Sequence, residues 1–141
     1  MTMATYFFPI AKVGIATGLI DLDTDTFYGM FVTDTYTPSA AHQYRSSVTN
    51  ELAAAGNYVT GGFALASVTC ALSGTEARFD AADMSVATAT FTARGVVIYK
   101  HRGGASSADD LVCALTFGAD ITATAGTFAV VFDATGIAAL T

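Results

Sequence analysis

The stretch that decides the fold covers residues 77–100 and reads ARFDAADMSVATATFTARGVVIYK. Its second half, residues 89–99, is rich in β-branched and aromatic residues, which favour extended strands. Successive side chains of a strand point to opposite faces, so Val96 and Val97 lie on opposite faces. Because both faces are apolar at this end, the pattern predicts a central strand that is covered on two sides.

Arg94 places a charge in the middle of this apolar run. Two carboxylates, Asp80 and Asp83, precede the run in the segment FDAAD and are suited either to acid–base chemistry or to an ion pair. An arginine that is buried without a partner costs several kcal/mol. We therefore predict that Arg94 forms a structural ion pair with Asp80 or Asp83, and we assign no catalytic residue.

The remainder of the chain indicates a mainly β domain. Apolar or alternating runs predict strands at residues 27–32, 63–72, 76–80, 83–86, 111–117 and 128–132, with a bulge near residues 66–67, a hairpin turn at 73–75 and a break at 118–120. Many short strands that are linked by turns are typical of an antiparallel sandwich or barrel-like domain. We therefore expect a single domain, residues 1–141, with this β architecture.

One or two short helices are expected near the N-terminus. Residues 6–17 have helical periodicity, with Thr5 as the N-cap and Gly18 at the end, although Pro9 fits poorly beyond a first turn. Ser39 and Ser47 are candidate caps for further helices within residues 39–55. The apolar segment 3–20 is interrupted by proline and glycines, so we expect a packed amphipathic helix and no membrane segment.

Composition limits the classes of partner. The chain has a net charge of −6, and its six basic residues are scattered, which argues against nucleic-acid binding. Hydrophobic residues make up 52% of the chain and charged residues only 13%. A surface so poor in charge is sticky in water, which favours an oligomer or a larger assembly over a monomer coated with Thr, Ser and Ala.

Three aspartates, Asp21, Asp23 and Asp25, have the spacing of the first ligands of a calcium loop. The sixth position is Thr26 where glycine is needed, and the twelfth is Val32 where glutamate is needed. A polar turn that leads into a strand is therefore the favoured interpretation.

No other residues form a recognisable site. His42 and His101 have no partners at metal-ligand spacing, and no nucleophile or phosphate-loop motif is present. Cys70 and Cys113 each lie in an alternating apolar run, so core positions are favoured over a disulfide. We expect a protein that is not an enzyme and that needs no metal or cofactor.

Several pieces of the chain, taken in order, resemble a family of small virion proteins of tailed bacteriophages. They are LDTDT at 22–26, YTP at 36–38, FDA at 79–81, TARGVVIYK at 92–100 and GIAAL at 136–140. The resemblance implies a virion component that is made in the host cytoplasm. Its preferred role is a capsid decoration (cement) protein, a homotrimer that bridges major capsid protein subunits on the head surface.

Two alternatives stay open at this point. A tail, tail-tip or head–tail adaptor component would share the same composition and fold class. A small glycan-binding β domain is the second alternative, with Tyr36, Tyr44 and Tyr58 as residues that stack on sugar rings.

Overall fold

The computed structural model describes residues 3–140. Within them the chain forms one α-helix, α1 (Pro9–Ala16), two 3₁₀ turns (Arg45–Ser47 and Ser106–Ala108) and eight strands. The strands are β1 (Ala4–Phe7), β2 (Phe27–Val32), β3 (Phe63–Ala64), β4 (Thr69–Ser73), β5 (Glu76–Asp80), β6 (Met84–Lys100), β7 (Leu111–Val130) and β8 (Ala138–Leu140). The prediction of a mainly antiparallel β fold with a short helix near the N-terminus is confirmed.

The strand predicted to be central is central. β6 is the middle strand of a five-stranded antiparallel sheet with the order β1-β7-β6-β2-β3. Residues 95–99 are buried on both faces, as the apolar pattern predicted. In the part of β6 that precedes Gly95, one face of the strand is polar, with Thr90 and Thr92 exposed. Arg94 lies on this face and therefore retains access to solvent.

A second, three-stranded sheet has the order β4-β5-β8. Phe79 of β5 packs edge-on against Phe27 of β2, with ring centroids 5.3 Å apart, and this contact joins the two sheets. Ile137 donates its backbone N–H to the Phe79 carbonyl at 2.7 Å, which ties the last strand to the same point. The resulting arrangement is sandwich-like.

β6 bends sharply between its two halves. A Cβ placed on Gly29 would lie 2.9 Å from Met84 Sδ and 3.0 Å from Val96 Cγ2. Met84 and Val96 are 12 positions apart on β6, a distance of about 40 Å in a straight strand. The first half of β6 and the second half of β7 therefore fold over the sheet, and their aromatic residues close the core around Phe31.

The N-terminal segment differs from the prediction. Residues 4–7 form a strand that pairs with β7, and the helix begins only at Pro9. Pro9 occupies the first turn of α1, where a missing N–H costs nothing because helix N-termini have no intrahelical acceptor. Thr5 does not cap the helix, because its hydroxyl donates to the Ile137 carbonyl at 3.1 Å.

Four other segments also differ. Residues 39–55 contain no α-helix and only the 3₁₀ turn Arg45–Ser47. The register change within residues 63–72 is not a bulge, because β3 and β4 belong to different sheets and the chain crosses between them at Ser67. Residues 84–86 are the first residues of β6 rather than a separate strand, and residues 118–120 lie inside a continuous β7.

No helix within residues 3–140 has the length and apolar character that a membrane crossing requires.

Candidate functional site

Arg94 pairs with Asp120, not with Asp80 or Asp83. Arg94 Nε donates to Asp120 Oδ1 at 2.9 Å, and the two side chains are 36% and 46% exposed. The predicted ion pair with Asp80 or Asp83 is therefore wrong, as is the assumption that Arg94 is buried. This is a surface pair, and such pairs contribute little to stability.

A bulge in β7 brings Asp120 to Arg94. Ala93 pairs with Ile121, and Gly95 pairs with Thr116, so the four residues 117–120 of β7 oppose the single residue Arg94 of β6. Gly118 takes a φ of +79° within this bulge, a conformation that glycine adopts without strain. The break predicted at residues 118–120 is instead a bulge within a continuous β7, and Asp120 was not recognised as the partner of Arg94.

Asp80 and Asp83 hold backbone turns. Asp80 Oδ1 accepts the Ala81 N–H at 2.8 Å, and Asp83 Oδ1 accepts the Phe132 N–H at 2.9 Å. Asp80 is the last residue of β5 and Asp83 directly precedes β6, where the chain passes from one sheet to the other. Their role in the structure is to satisfy N–H groups at this crossing.

Arg94 lines a cleft on the five-stranded sheet, which we call the sheet cleft. The loop that follows β2, with Tyr36 and Pro38, forms one side of it. The floor consists of small residues from neighbouring strands, among them Ala4, Gly95 and Ala114, and the free volume is about 370 Å³. Tyr6 lines the cleft from β1, because Tyr6 pairs with Ala114 across the ladder.

Tyr36 is held in place by His42. The Tyr36 hydroxyl and His42 Nδ1 share a hydrogen bond of 3.0 Å, and the two rings stack with centroids 5.7 Å apart. Burial raises the pKa of Tyr36 to about 12, with the nearby Tyr6 phenol adding to the effect. The Tyr36 phenol is therefore protonated at neutral pH and can act as a hydrogen-bond donor.

A buried polar network anchors the long loop between β2 and β3, and sequence reasoning missed it. Arg45 Nε donates to Asp109 Oδ2 at 2.8 Å, and the Asp109 side chain is fully buried. The Arg45 guanidinium also lies 5.1 Å from the centroid of the Tyr99 ring. The Tyr99 hydroxyl donates to the Gly61 carbonyl, so Tyr99 links the centre of the sheet to the far end of this loop.

A second apolar area lies at the β4–β5 hairpin. Leu72 is 80% exposed, and the antiparallel register places it beside Ala77, which in turn pairs with Leu140. A groove of about 480 Å³ continues from Cys70, Ala77 and Leu140 towards the residues around α1. We call Cys70, Leu72, Ala77 and Leu140 the hairpin patch.

The three aspartates of the calcium-like spacing hold a turn, as the favoured interpretation predicted. Asp21 Oδ1 accepts the Asp23 N–H at 2.9 Å, and this donor, together with Thr24, lowers the pKa of Asp21. Asp25 pairs with Lys100 at 2.7 Å. Asp23 Oδ1 accepts the Cys70 N–H at 3.2 Å. Within residues 3–140, no group of three or more His, Cys, Asp or Glu side chains is placed to hold a metal ion.

The three tyrosines proposed for stacking do not share one site. Tyr58 is buried, and its hydroxyl donates to Glu51 at 2.7 Å, so its ring is closed to a ligand. Tyr44 is exposed but is not among the residues that line the sheet cleft. Of the three, Tyr36 alone lines that cleft, where its neighbour is Tyr6, a residue that the sequence did not single out.

Both cysteines are free thiols, so the disulfide alternative is wrong. Cys113 is fully buried, as predicted for a core residue, and burial raises the pKa of its thiol to about 12. Cys70 is only partly buried.

Comparison with known proteins found no match: no protein-family model fits the chain, and neither a curated protein nor a solved structure is similar to it. The resemblance to phage virion proteins therefore stays a prediction.

Proposed function

We propose that this chain is a structural component of a tailed-bacteriophage virion, namely a capsid decoration protein. In this role a homotrimer sits on the outer surface of the head and bridges neighbouring major capsid protein subunits. The proposal draws on the resemblance of the segments named above. The observation that carries it is the exposed hairpin patch.

The hairpin patch is an apolar surface that a monomer leaves uncovered. β4 has the sequence TCALS, which contains no charged residue, and Leu72 at its tip is 80% exposed. Val13, Leu19 and Val59 add further exposed apolar side chains elsewhere on the surface. Exposed apolar area of this kind tends to be covered by a partner in the working state of a protein.

The proposed mechanism is binding linkage. Anything that binds the assembled shell but not its dissociated subunits stabilises the shell. A specific interface of standard size buries about 1,200–2,000 Å² in total. Many copies, each with a modest interface, therefore add up to a large stabilisation of the whole particle.

Imaging of virions with and without the protein tests the location. Under the proposal, density is lost from regular positions across the head, and the stripped particles break at a lower temperature. Density lost only along the tail axis would overturn the decoration role in favour of a tail or adaptor component, which shares the composition and the fold class.

A pair of variants tests the surface. Leu72→Asp places a charge in the hairpin patch, and we expect particle occupancy to fall at least tenfold while the thermal midpoint of the free protein is unchanged. Val131→Asp is the matched control, because Val131 is also apolar and 54% exposed but lies outside the patch. Full occupancy with Leu72→Asp would show that the hairpin patch is not the docking surface.

A further inference from the structure

We propose that the sheet cleft binds a single sugar ring that carries a carboxylate, the chemistry of a hexuronate. The sheet cleft shares no residue with the hairpin patch, and the proposal does not depend on a role in a particle. It also replaces the set of three tyrosines that the sequence suggested with a different set, Tyr6, Tyr36 and Arg94.

The size of the cleft fits one ring. Its volume of about 370 Å³ is at the lower end of the range of about 300–1,000 Å³ that is typical of small-molecule sites. Ala4, Gly95 and Ala114 present little or no side chain on the floor. A ring can therefore lie flat against the sheet, with its C–H groups on an apolar surface.

The sides of the cleft supply an aromatic face and hydroxyl groups. The Tyr36 ring, stacked on His42, is an aromatic side chain at the side of the cleft. The Tyr36 and Tyr6 phenols, with the hydroxyls of Thr33, Thr37 and Thr116, also line the cleft. Because hydroxyls both donate and accept hydrogen bonds, these groups can bind the hydroxyls of a sugar ring that lies on the otherwise mainly apolar lining.

Arg94 selects the carboxylate. It is the one charged side chain among the described residues that line the cleft. Its single hydrogen bond within residues 3–140 goes from Nε to Asp120. The terminal N–H groups of the guanidinium are left for a ligand, and the planar fork matches a carboxylate. Asp120 competes for the same guanidinium, so its charge limits the affinity.

The test is a titration of the isotopically labelled full chain with glucuronate, followed by NMR. We expect saturable shifts of the amides of Gly95 and Thr116, with binding at least fivefold weaker for glucose and for acetate. Arg94→Gln should weaken glucuronate binding at least tenfold. Arg102→Gln is the matched control and should bind like the wild type, because Arg102 is equally exposed (37%) and also pairs with an aspartate, Asp110.

Asp120→Asn provides a second readout that does not remove a cleft residue. It releases Arg94 from its partner, and we expect glucuronate to bind severalfold more tightly. The proposal is overturned by any of three results: no saturable shift with glucuronate, equal binding of glucose or acetate, or binding that Arg94→Gln and Asp120→Asn both leave unchanged. Thermal melting of each variant verifies that it is folded.

Discussion

Two arginines show that the sequence does not predict whether a charged side chain is buried or which carboxylate it pairs with. Arg94 is conspicuous because apolar residues surround it in the chain, yet it lies at the surface with Asp120. Arg45 lies in a segment with no clear pattern, yet it pairs with a fully buried aspartate, Asp109. Whether a charged side chain is buried depends on which residues pack over it, and the sequence shows neither these residues nor the partner of the ion pair.

We expect Arg45→Ala to lower the free energy of unfolding by about 3–5 kcal/mol, because it leaves the buried Asp109 carboxylate without its cation. Arg94→Ala should lower it by no more than about 1 kcal/mol, because the pair that it breaks is exposed. Urea denaturation of both variants measures the difference. A larger loss with Arg94→Ala than with Arg45→Ala would contradict the assignment of the buried network.

At the scale of elements, the sequence predicted what depends on local pattern. β2, the turn between β4 and β5, and the second half of β6 were correctly predicted, because their alternation and turn residues are local signals. β1 was mistaken for part of a helix, because residues 4–7 are held by pairing with β7. The change of sheet at Ser67 was likewise hidden, because a shift in alternation does not reveal which strand the chain pairs with next.

At Gly95 the backbone of β7 lies close to β6. A Cβ at this position would lie 2.5 Å from the Leu115 carbonyl oxygen, a backbone atom that moves only if the ladder opens. We expect Gly95→Ala to cost about 1–3 kcal/mol of unfolding free energy, as overpacked core sites do. Gly126→Ala on the same ribbon meets nothing closer than 3.7 Å and should cost less than about 0.5 kcal/mol. Equal losses in the two variants would contradict the tight contact.

Asp23 protects the free edge of β4. Its carboxylate accepts the Cys70 N–H, which points away from β5 and would otherwise be available to a strand of another molecule. We expect Asp23→Ala to aggregate faster in light-scattering assays, with a change in unfolding free energy below about 1 kcal/mol. Asp34→Ala removes an exposed aspartate with no contact to β4 and should aggregate like the wild type. Unchanged aggregation of Asp23→Ala would contradict this role.

At the scale of the whole molecule, the sheet cleft shows why the site could not be predicted. Tyr6, Tyr36, Arg94 and Thr116 come from four separate segments, and only the pairing of β1, β7, β6 and β2 brings them together. The sequence analysis singled out Tyr36 and Arg94, but it grouped Tyr36 with tyrosines that do not line the cleft and assigned Arg94 to the wrong aspartate. A fold class follows from local patterns, whereas a cleft depends on the complete strand order.

Ionisation of the buried tyrosines lowers the stability of the whole fold at alkaline pH. Burial raises the pKa of Tyr36 and of Tyr99 to about 12, from an ordinary value of 10.0, and raises the pKa of Tyr58 further. In the unfolded chain these phenols ionise near pH 10, while in the folded chain they stay protonated. Keeping these phenols protonated therefore stabilises the folded chain, fully so below about pH 10. This contribution is lost as the pH rises towards 12.

We expect urea midpoints that fall steeply above pH 10, while tyrosinate absorbance of the folded protein shows a group of phenols that ionise late. Tyr99→Phe removes one of these phenols and its hydrogen bond to Gly61, so it should lower stability at pH 8 but reduce the further loss between pH 8 and pH 11. Tyr44→Phe, at an exposed position, serves as the control and should follow the wild type. An unchanged loss in Tyr99→Phe would show that ionisation of Tyr99 does not contribute, since the linkage requires the titrating group itself.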